Sequence, residues 1–222
     1  TVVVACAACG VDVEPVPDAG PDVDVDCDPF AVDVVSFSPG RNAGFGADAL
    51  PGIVLGPPSG PEGTGGSRDV VSLGVGGSIV LELGCTVIDG DGVDVVVYEN
   101  PFQILNPNPD DDPATDDAYV GAFVERAEVA VSDDGEHFAT FGCVVDGSNH
   151  DDGVDGCAGM TPVVATADNG LAGVFPAGGG DGFDLATVGV ERARFVRITD
   201  RASGGSGTAA GFDLDAVAVV VR

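Results

Sequence analysis

The chain has 222 residues, and its 37 Asp and Glu residues against eight Arg, with no Lys, give a formal charge of −29. A surface this acidic repels nucleic-acid phosphates and anionic lipid headgroups, which argues against both as partners. No stretch approaches the roughly 20 apolar residues of a membrane helix. The many Asp residues are expected to attract a hard cation such as Ca²⁺, or to form a solvated surface that stays soluble in salt.

The first ten residues are apolar and stand apart from the rest of the chain. They are followed by a Pro- and Asp-rich tract that predicts an extended linker. We therefore expect residues 1–29 to be an extension and residues 30–222 to be the folded domain.

Two interpretations of this extension remain open. In the first, Cys6 is the lipidated cysteine of a lipobox, which implies a mature chain that starts there. In the second, Thr1 is the mature N-terminus and the three valines after it form a strand that completes the sheet of a neighbouring subunit. The residues predicted to serve assembly are Val2, Val3, Val4, Cys6 and Cys9.

Six cysteines in a loop-rich chain without Lys predict an oxidising compartment and a secreted protein. Cys143 and Cys157 bracket an Asp- and Gly-rich loop and are expected to form a local disulfide. Cys27 and Cys85 are the expected second pair, although spacing alone leaves other pairings open. The remaining two cysteines form a single CxxC motif, and a zinc site usually needs a second one.

From residue 30 onward, short Val-rich runs alternate with turn residues, which predicts an all-β antiparallel sandwich of two sheets. The 35 Gly and 15 Pro residues supply the turns. Asp-Gly at 134–135 lies between two such runs and predicts a hairpin. Residues 101–117 and 144–160 are expected to be long acidic loops. The predicted strands are 32–38, 69–73, 78–83, 93–99, 126–132, 137–143, 194–199 and 212–221.

Several segments in a shared order resemble secreted bacterial cell-surface proteins whose domain is similar to a discoidin or carbohydrate-binding-module jelly roll. The segments are 34–40, 44–46, 53–58, 71–79, 94–102, 127–135, 183–185, 196–200 and 211–217. The resemblance covers about residues 30–222 and implies a jelly-roll sandwich. It also implies a structural calcium held by the last Asp of a final-strand pattern, which is Asp215 here, preceded by Asp213. The Glu-containing first strand of such modules is not matched.

Two further segments offer oxygen ligands for calcium. Glu99 and Asn100 end an apolar strand and can together bind an ion or a sugar, or they can simply cap the turn. Asp89, Asp91 and Asp94 alternate with glycines like half of a calcium loop, although the distal Glu of an EF-hand is missing. The alternative for this segment is an acidic hairpin turn.

Nothing in the chain predicts an enzyme, and no catalytic residue is proposed. His137 and His150 are the only histidines, no Gly-x-Ser-x-Gly motif is present, and no Trp is available as a sugar platform. The sequence favours a non-catalytic extracellular structural protein, stabilised by calcium and disulfides, whose N-terminal strand links subunits into a homopolymeric filament. The alternative is a secreted or lipid-anchored module that binds glycans.

Overall fold

The computed structural model describes residues 27–60, 67–105, 119–144, 156–201, 207 and 209–221, with the backbone only for 102–105 and 119–123. The predicted N-terminal strand and nearly all of the predicted linker lie outside these residues, as do His150 and most of the two predicted acidic loops. Within the described residues, we find no helical segment with the length and apolar character of a membrane span.

The described chain consists of thirteen strands and three single-turn 3₁₀ helices, and α-helix is absent from this part. The strands are β1 Ala31–Ser38, β2 Val71–Ser72, β3 Ser78–Ile88, β4 Val95–Tyr98, β5 Phe102–Leu105, β6 Tyr119–Phe123, β7 Ala127–Ser132, β8 Ala139–Thr140, β9 Cys157–Ala158, β10 Asp181–Phe183, β11 Arg192–Asp200, β12 Asp213–Leu214 and β13 Ala216–Val219. The 3₁₀ helices are η1 Ala47–Ala49, η2 Gly52–Val54 and η3 Leu185–Val188.

Every strand pair in the described residues is antiparallel. A six-stranded sheet has the order β1-β3-β11-β7-β8, with β9 also paired to β7, and a second sheet has the order β10-β4-β13. Two short pairs, β2 with β12 and β5 with β6, complete the described sheets. The predicted all-β sandwich is therefore confirmed.

The six-stranded sheet buries one face and leaves the other near solvent. Along β3 and β11, buried and more exposed residues alternate, as expected for strands whose successive side chains point to opposite faces. Ile79, Leu81 and Ile198 project into the main core, where they join Val95 and Val97 of the second sheet. This alternation is the period-2 pattern that the sequence shows at residues 194–198.

The second sheet is covered on both faces. All four residues of β4 and all four of β13 are buried. Val95 and Val97 face the six-stranded sheet, whereas Val96 and Tyr98 belong to a second apolar cluster with Val163. Burial on both faces explains why β4 is a continuous apolar run rather than an alternating one.

The eight predicted strands lie where strands are found, with shifted ends. Four short strands were not predicted: β5, β6, β9 and β10. Two of them, β5 and β9, fall inside segments that the sequence suggests are loops. They are two to five residues long and become strands by pairing with distant segments, which a local pattern does not reveal.

The hairpin predicted at Asp134-Gly135 joins β7 to β8, which pair with Val131 opposite Ala139. Ser132 and Asp134 organise this turn. The Asp134 carboxylate accepts hydrogen bonds from the backbone N–H groups of Glu136 and His137, and these bonds, together with the His137 ring, hold the pKa of Asp134 far below its usual range.

Both predicted disulfides are present. Cys27 is bonded to Cys85, 58 residues away, and Cys143 is bonded to Cys157, 14 residues away. The first ties the start of the described chain to β3, and the second ties the segment after β8 to β9. Such bonds persist in oxidising compartments.

Removing the two disulfides separately should destabilise the protein to different extents. Loop-closure entropy predicts a loss of about 4 kcal/mol for Cys27→Ala with Cys85→Ala and about 3 kcal/mol for Cys143→Ala with Cys157→Ala, since the first bond closes the longer loop. Urea denaturation of both double variants beside the parent protein measures these losses. A larger loss from the shorter loop would show that native packing, rather than loop length, sets the contribution of each bond.

Candidate metal centres

The antiparallel pairing of β4 with β10 places four carboxylates at its two ends. Asp181 lies opposite Val97 and Phe183 lies opposite Val95. Asp94 and Asp184 therefore flank one end of the pair, while Glu99 and Asp181 flank the other. Each end is the centre of a separate acidic cluster.

The first cluster, which we name the rim triad, consists of Asp89, Asp94 and Asp184. One carboxylate oxygen from each residue lies within 4.8 Å of the other two. Asp89 follows β3, Asp94 precedes β4 and Asp184 precedes η3, so the triad joins segments that are distant in sequence. It is the only such trio among the described residues.

Asp94 is the buried member of the rim triad, with an exposed fraction of 0%. Its Oδ1 accepts a hydrogen bond from the Gly90 N–H at 3.1 Å and its Oδ2 accepts one from the Leu185 N–H at 2.9 Å. Its own backbone N–H donates to the Phe183 carbonyl. Asp184 caps η3 by accepting from the Ala186 N–H. Backbone contacts therefore hold two of the three carboxylates in place.

The rim triad has the donor chemistry of a site for a hard cation. Ca²⁺ binds carboxylate oxygens at about 2.3–2.6 Å, so oxygens on one ion lie up to about 5 Å apart. The triad meets this limit. Asp89 and Asp94 belong to the segment that resembles half a calcium loop, whereas Asp91 of the same segment lies outside the trio. Asp184 was not predicted as a ligand, because no local pattern marks it as one.

The second cluster, which we name the buried acidic centre, consists of Glu99, Glu125, Asp181 and Asp213. These residues follow β4, precede β7, begin β10 and begin β12, respectively. Glu99 is 3% exposed and Glu125 is 8% exposed. The sequence predicted Glu99 and Asp213 as ligands but not the other two.

Burial raises the pKa of all four carboxylates of the buried acidic centre, and the charges of other members raise those of Glu99 and Glu125 further. The pKa of Glu99 is raised well above the usual range. Burial is the largest cause, followed by the charges of Asp213, Glu125 and Asp181. Burial and the charges of Asp213 and Asp200 raise the pKa of Glu125 to about 8. All the neighbouring charges that act on these two groups are negative.

Hydrogen bonds satisfy part of the buried acidic centre. Asp181 Oδ2 accepts from the Gly159 N–H at 2.7 Å and the Met160 N–H at 2.9 Å. Asp213 Oδ1 accepts a short hydrogen bond from the Ser72 hydroxyl. Glu99 Oε2, in contrast, is buried and has no hydrogen-bond partner among the described residues.

Asp200, at the end of β11, lies next to this centre, and its carboxylate fixes the backbone that leads into β12. Its Oδ1 accepts from the Phe212 N–H at 2.7 Å and its Oδ2 accepts from the Gly76 N–H at 2.9 Å. The backbone passes close to the Asp200 carboxylate at Gly211, where a Cβ would lie 2.7 Å from Asp200 Oδ1. Gly211 also has a φ of +75°, in the left-handed region. A glycine is therefore needed before β12 enters the centre.

Two other residues predicted as ligands, Asn100 and Asp215, make hydrogen bonds to the backbone of neighbouring loops. Asn100 exchanges hydrogen bonds with the backbone of Ser67. Asp215 accepts from the Ser59 N–H with both oxygens, at 3.1 and 3.2 Å. Burial and the charge of Asp69 raise the pKa of Asp215 to about 7.

The arginines of β11 and its exit find partners within the domain, which limits their availability to other molecules. The contacts are Arg192 with Asp133 at 3.0 Å, Arg194 with Glu82 at 2.7 Å, Arg197 over the Phe138 ring at 4.4 Å and Arg201 with Glu128 at 2.6 Å. Three of these arginines pair with surface carboxylates, and none of the four contacts involves a carboxylate of the two acidic clusters.

No family model matches this chain, and no curated protein is significantly similar to it. Function is therefore inferred from the geometry of the acidic clusters and from the disulfides.

Asp215 should make the metal-free protein less stable as the pH rises. The folded protein keeps the Asp215 proton up to a pH of about 7, whereas the unfolded chain releases it at about pH 4. The folded state thus binds more protons between these values, and this contribution to stability is lost as the pH rises through them. In EDTA, Asp215→Asn should flatten this part of the pH profile of the urea midpoint. Asp168→Asn, which changes an exposed carboxylate, is the control, and an unchanged slope in Asp215→Asn would contradict the assignment.

Proposed function

We propose that this chain is a non-catalytic extracellular structural module whose sandwich is stabilised by calcium and two disulfides. The observation that carries the proposal is the rim triad, in which three carboxylate oxygens lie within 4.8 Å of one another. The disulfides support an oxidising location. The charge of −29 supports cation binding over binding of anionic partners.

A structural role follows from what these features connect. A cation on the rim triad joins the turn after β3 to the start of η3, and each disulfide joins two further segments. These links connect loops to strands of the two sheets. Ligand-linked stabilisation of this kind is strongest where calcium is abundant, as it is outside the cell.

Self-assembly is part of the proposal. In the described residues β1 is an edge strand, and Val32 and Val35 on it are 44% and 51% exposed. An exposed edge strand can accept an added strand through backbone hydrogen bonds. The predicted donor, residues 2–4, lies outside the described residues. We propose that it adds to β1 of a second copy and so forms a homopolymer.

Calcium should raise the thermal stability of the protein through the rim triad. Extracellular calcium modules have Kd values of roughly 10⁻⁴–10⁻³ M, so about 10 mM Ca²⁺ should add roughly 1.4–2.7 kcal/mol. Asp184→Asn keeps an oxygen for capping η3 but loses a ligand charge, so it should respond to calcium less than the parent protein does, by the share that the rim triad contributes. Differential scanning calorimetry with CaCl₂ and with EDTA measures the effect.

The matched control is Asp91→Asn, which removes a carboxylate from the same loop as Asp89 but not from the trio. It should keep the calcium response. An equal increase in thermal stability with calcium in the parent protein and in Asp184→Asn would contradict calcium binding by the rim triad.

Assembly can be tested by negative-stain microscopy of the full chain in calcium, in EGTA and after deletion of residues 1–10. We expect filaments that disappear on deletion and weaken in EGTA, since strand addition needs the donor and the module needs the cation. A deletion variant that remains folded and still forms filaments would contradict strand donation. Uniform single particles under all conditions would contradict assembly altogether.

A further inference from the structure

The buried acidic centre brings carboxylates from four separate segments of the chain into the protein interior. Glu99 and Glu125 are 3% and 8% exposed, and burial raises the pKa of Asp181 and of Asp213 as well. Moving an ionised carboxylate from water into the interior costs several kcal/mol unless a positive charge or hydrogen bonds compensate it. Carboxylates placed in this way take up protons unless a bound cation compensates their charge.

The compensation visible in the structure is incomplete. Asp181 accepts hydrogen bonds from the backbone N–H groups of Gly159 and Met160 and from Thr161, and Asp213 accepts one from the Ser72 hydroxyl. The backbone of Asp213 donates a hydrogen bond to Glu99, and the backbone of Gly211 donates one to Glu125. The charges acting on Glu99 and Glu125 are all carboxylates. Glu99 Oε2 is buried without a hydrogen-bond partner among the described residues. A buried, unsatisfied carboxylate oxygen is rare in native proteins and points to a bound group.

A pocket lies beside Asp181, one of the four members of this centre. This pocket, of about 230 Å³, is lined by Asp181 together with Met160, Thr161 and Phe183. The pocket is large enough for a hydrated ion, since one water occupies about 30 Å³ of liquid. Asp181 lines this pocket, and its charge also raises the pKa of Glu99.

We infer that Glu99, Glu125, Asp181 and Asp213 form a second, buried site for a hard divalent cation of the Ca²⁺ class. All four side chains offer carboxylate oxygens. Ca²⁺ is a hard cation that prefers oxygen ligands, whereas softer metals prefer sulfur and nitrogen ligands. In the structure as it stands, no three of these four carboxylates bring oxygens within 4.8 Å of one another, so cation binding at this site requires their side chains to move closer together. The two Glu side chains have the rotatable bonds for this movement, and Glu99 supplies its unpaired oxygen.

The buried site does not rest on the proposed function, because it shares no residue with the rim triad. Each site lies at a different end of the β4–β10 pair. A single titration can therefore separate them. Isothermal titration calorimetry with CaCl₂ should show two ions per chain in the parent protein, one in Asp184→Asn, one in Glu99→Gln and none in the double variant.

The informative protein is Asp184→Asn, in which the rim triad is disabled. Its remaining calcium binding should weaken at least tenfold when Glu99→Gln is added. Glu128→Gln, which removes a surface carboxylate paired with Arg201, should leave binding unchanged. Circular dichroism establishes that each variant is folded, and Glu125→Gln replaces Glu99→Gln if the latter does not fold.

The outcomes distinguish the two sites. One ion in the parent protein that Asp184→Asn removes would overturn the buried site and leave the rim triad standing. One ion that only Glu99→Gln or Glu125→Gln removes would support the buried site and overturn the rim triad. Calcium binding to Asp184→Asn that is indifferent to both Glu substitutions would overturn the assignment of these residues.

Discussion

The antiparallel pairing of β4 with β10 is the interaction on which both acidic clusters depend. Its register sets Asp94 and Asp184 at one end and Glu99 and Asp181 at the other. β4 is buried on both faces, between the main core and a second apolar cluster, so it is a rigid support. The hydrophobic packing of four residues therefore determines where the carboxylates at both ends lie.

Electrostatics gives this arrangement its proposed function. A chain with a charge of −29 has many carboxylates at the surface, where water solvates them, but the buried acidic centre removes some of them from water. The arginines of β11 are engaged with surface carboxylates and with Phe138. Cations from the medium would compensate the remaining charge, and their binding would then stabilise the fold through linkage.

The candidate sites could be predicted only where a local pattern marks them. Asp89 and Asp94 alternate with glycines, and Glu99 ends a conspicuous apolar run, so the sequence indicates all three. Glu125, Asp181 and Asp184 are single acidic residues in unremarkable segments. They join the clusters because strands distant in sequence pair beside one another, and such pairing is invisible to a reading of local composition. Asn100 and Asp215 also have oxygen atoms suitable for a cation, and in this structure their side chains form hydrogen bonds with the backbone of neighbouring loops.

The sequence by itself determined the fold class and the positions of the longer strands, and it suggested two disulfide pairs while leaving other pairings open. Val-rich runs with period-2 alternation can bury a face only in a sheet, and Asp-Gly between two of them can turn a hairpin. Tertiary structure alone decided which carboxylates meet, since that depends on the strand order and the β4–β10 register. It also decided which carboxylates lose water: burial is a property of the packed sandwich, and the same Asp or Glu is solvated or desolvated according to the layer that covers it.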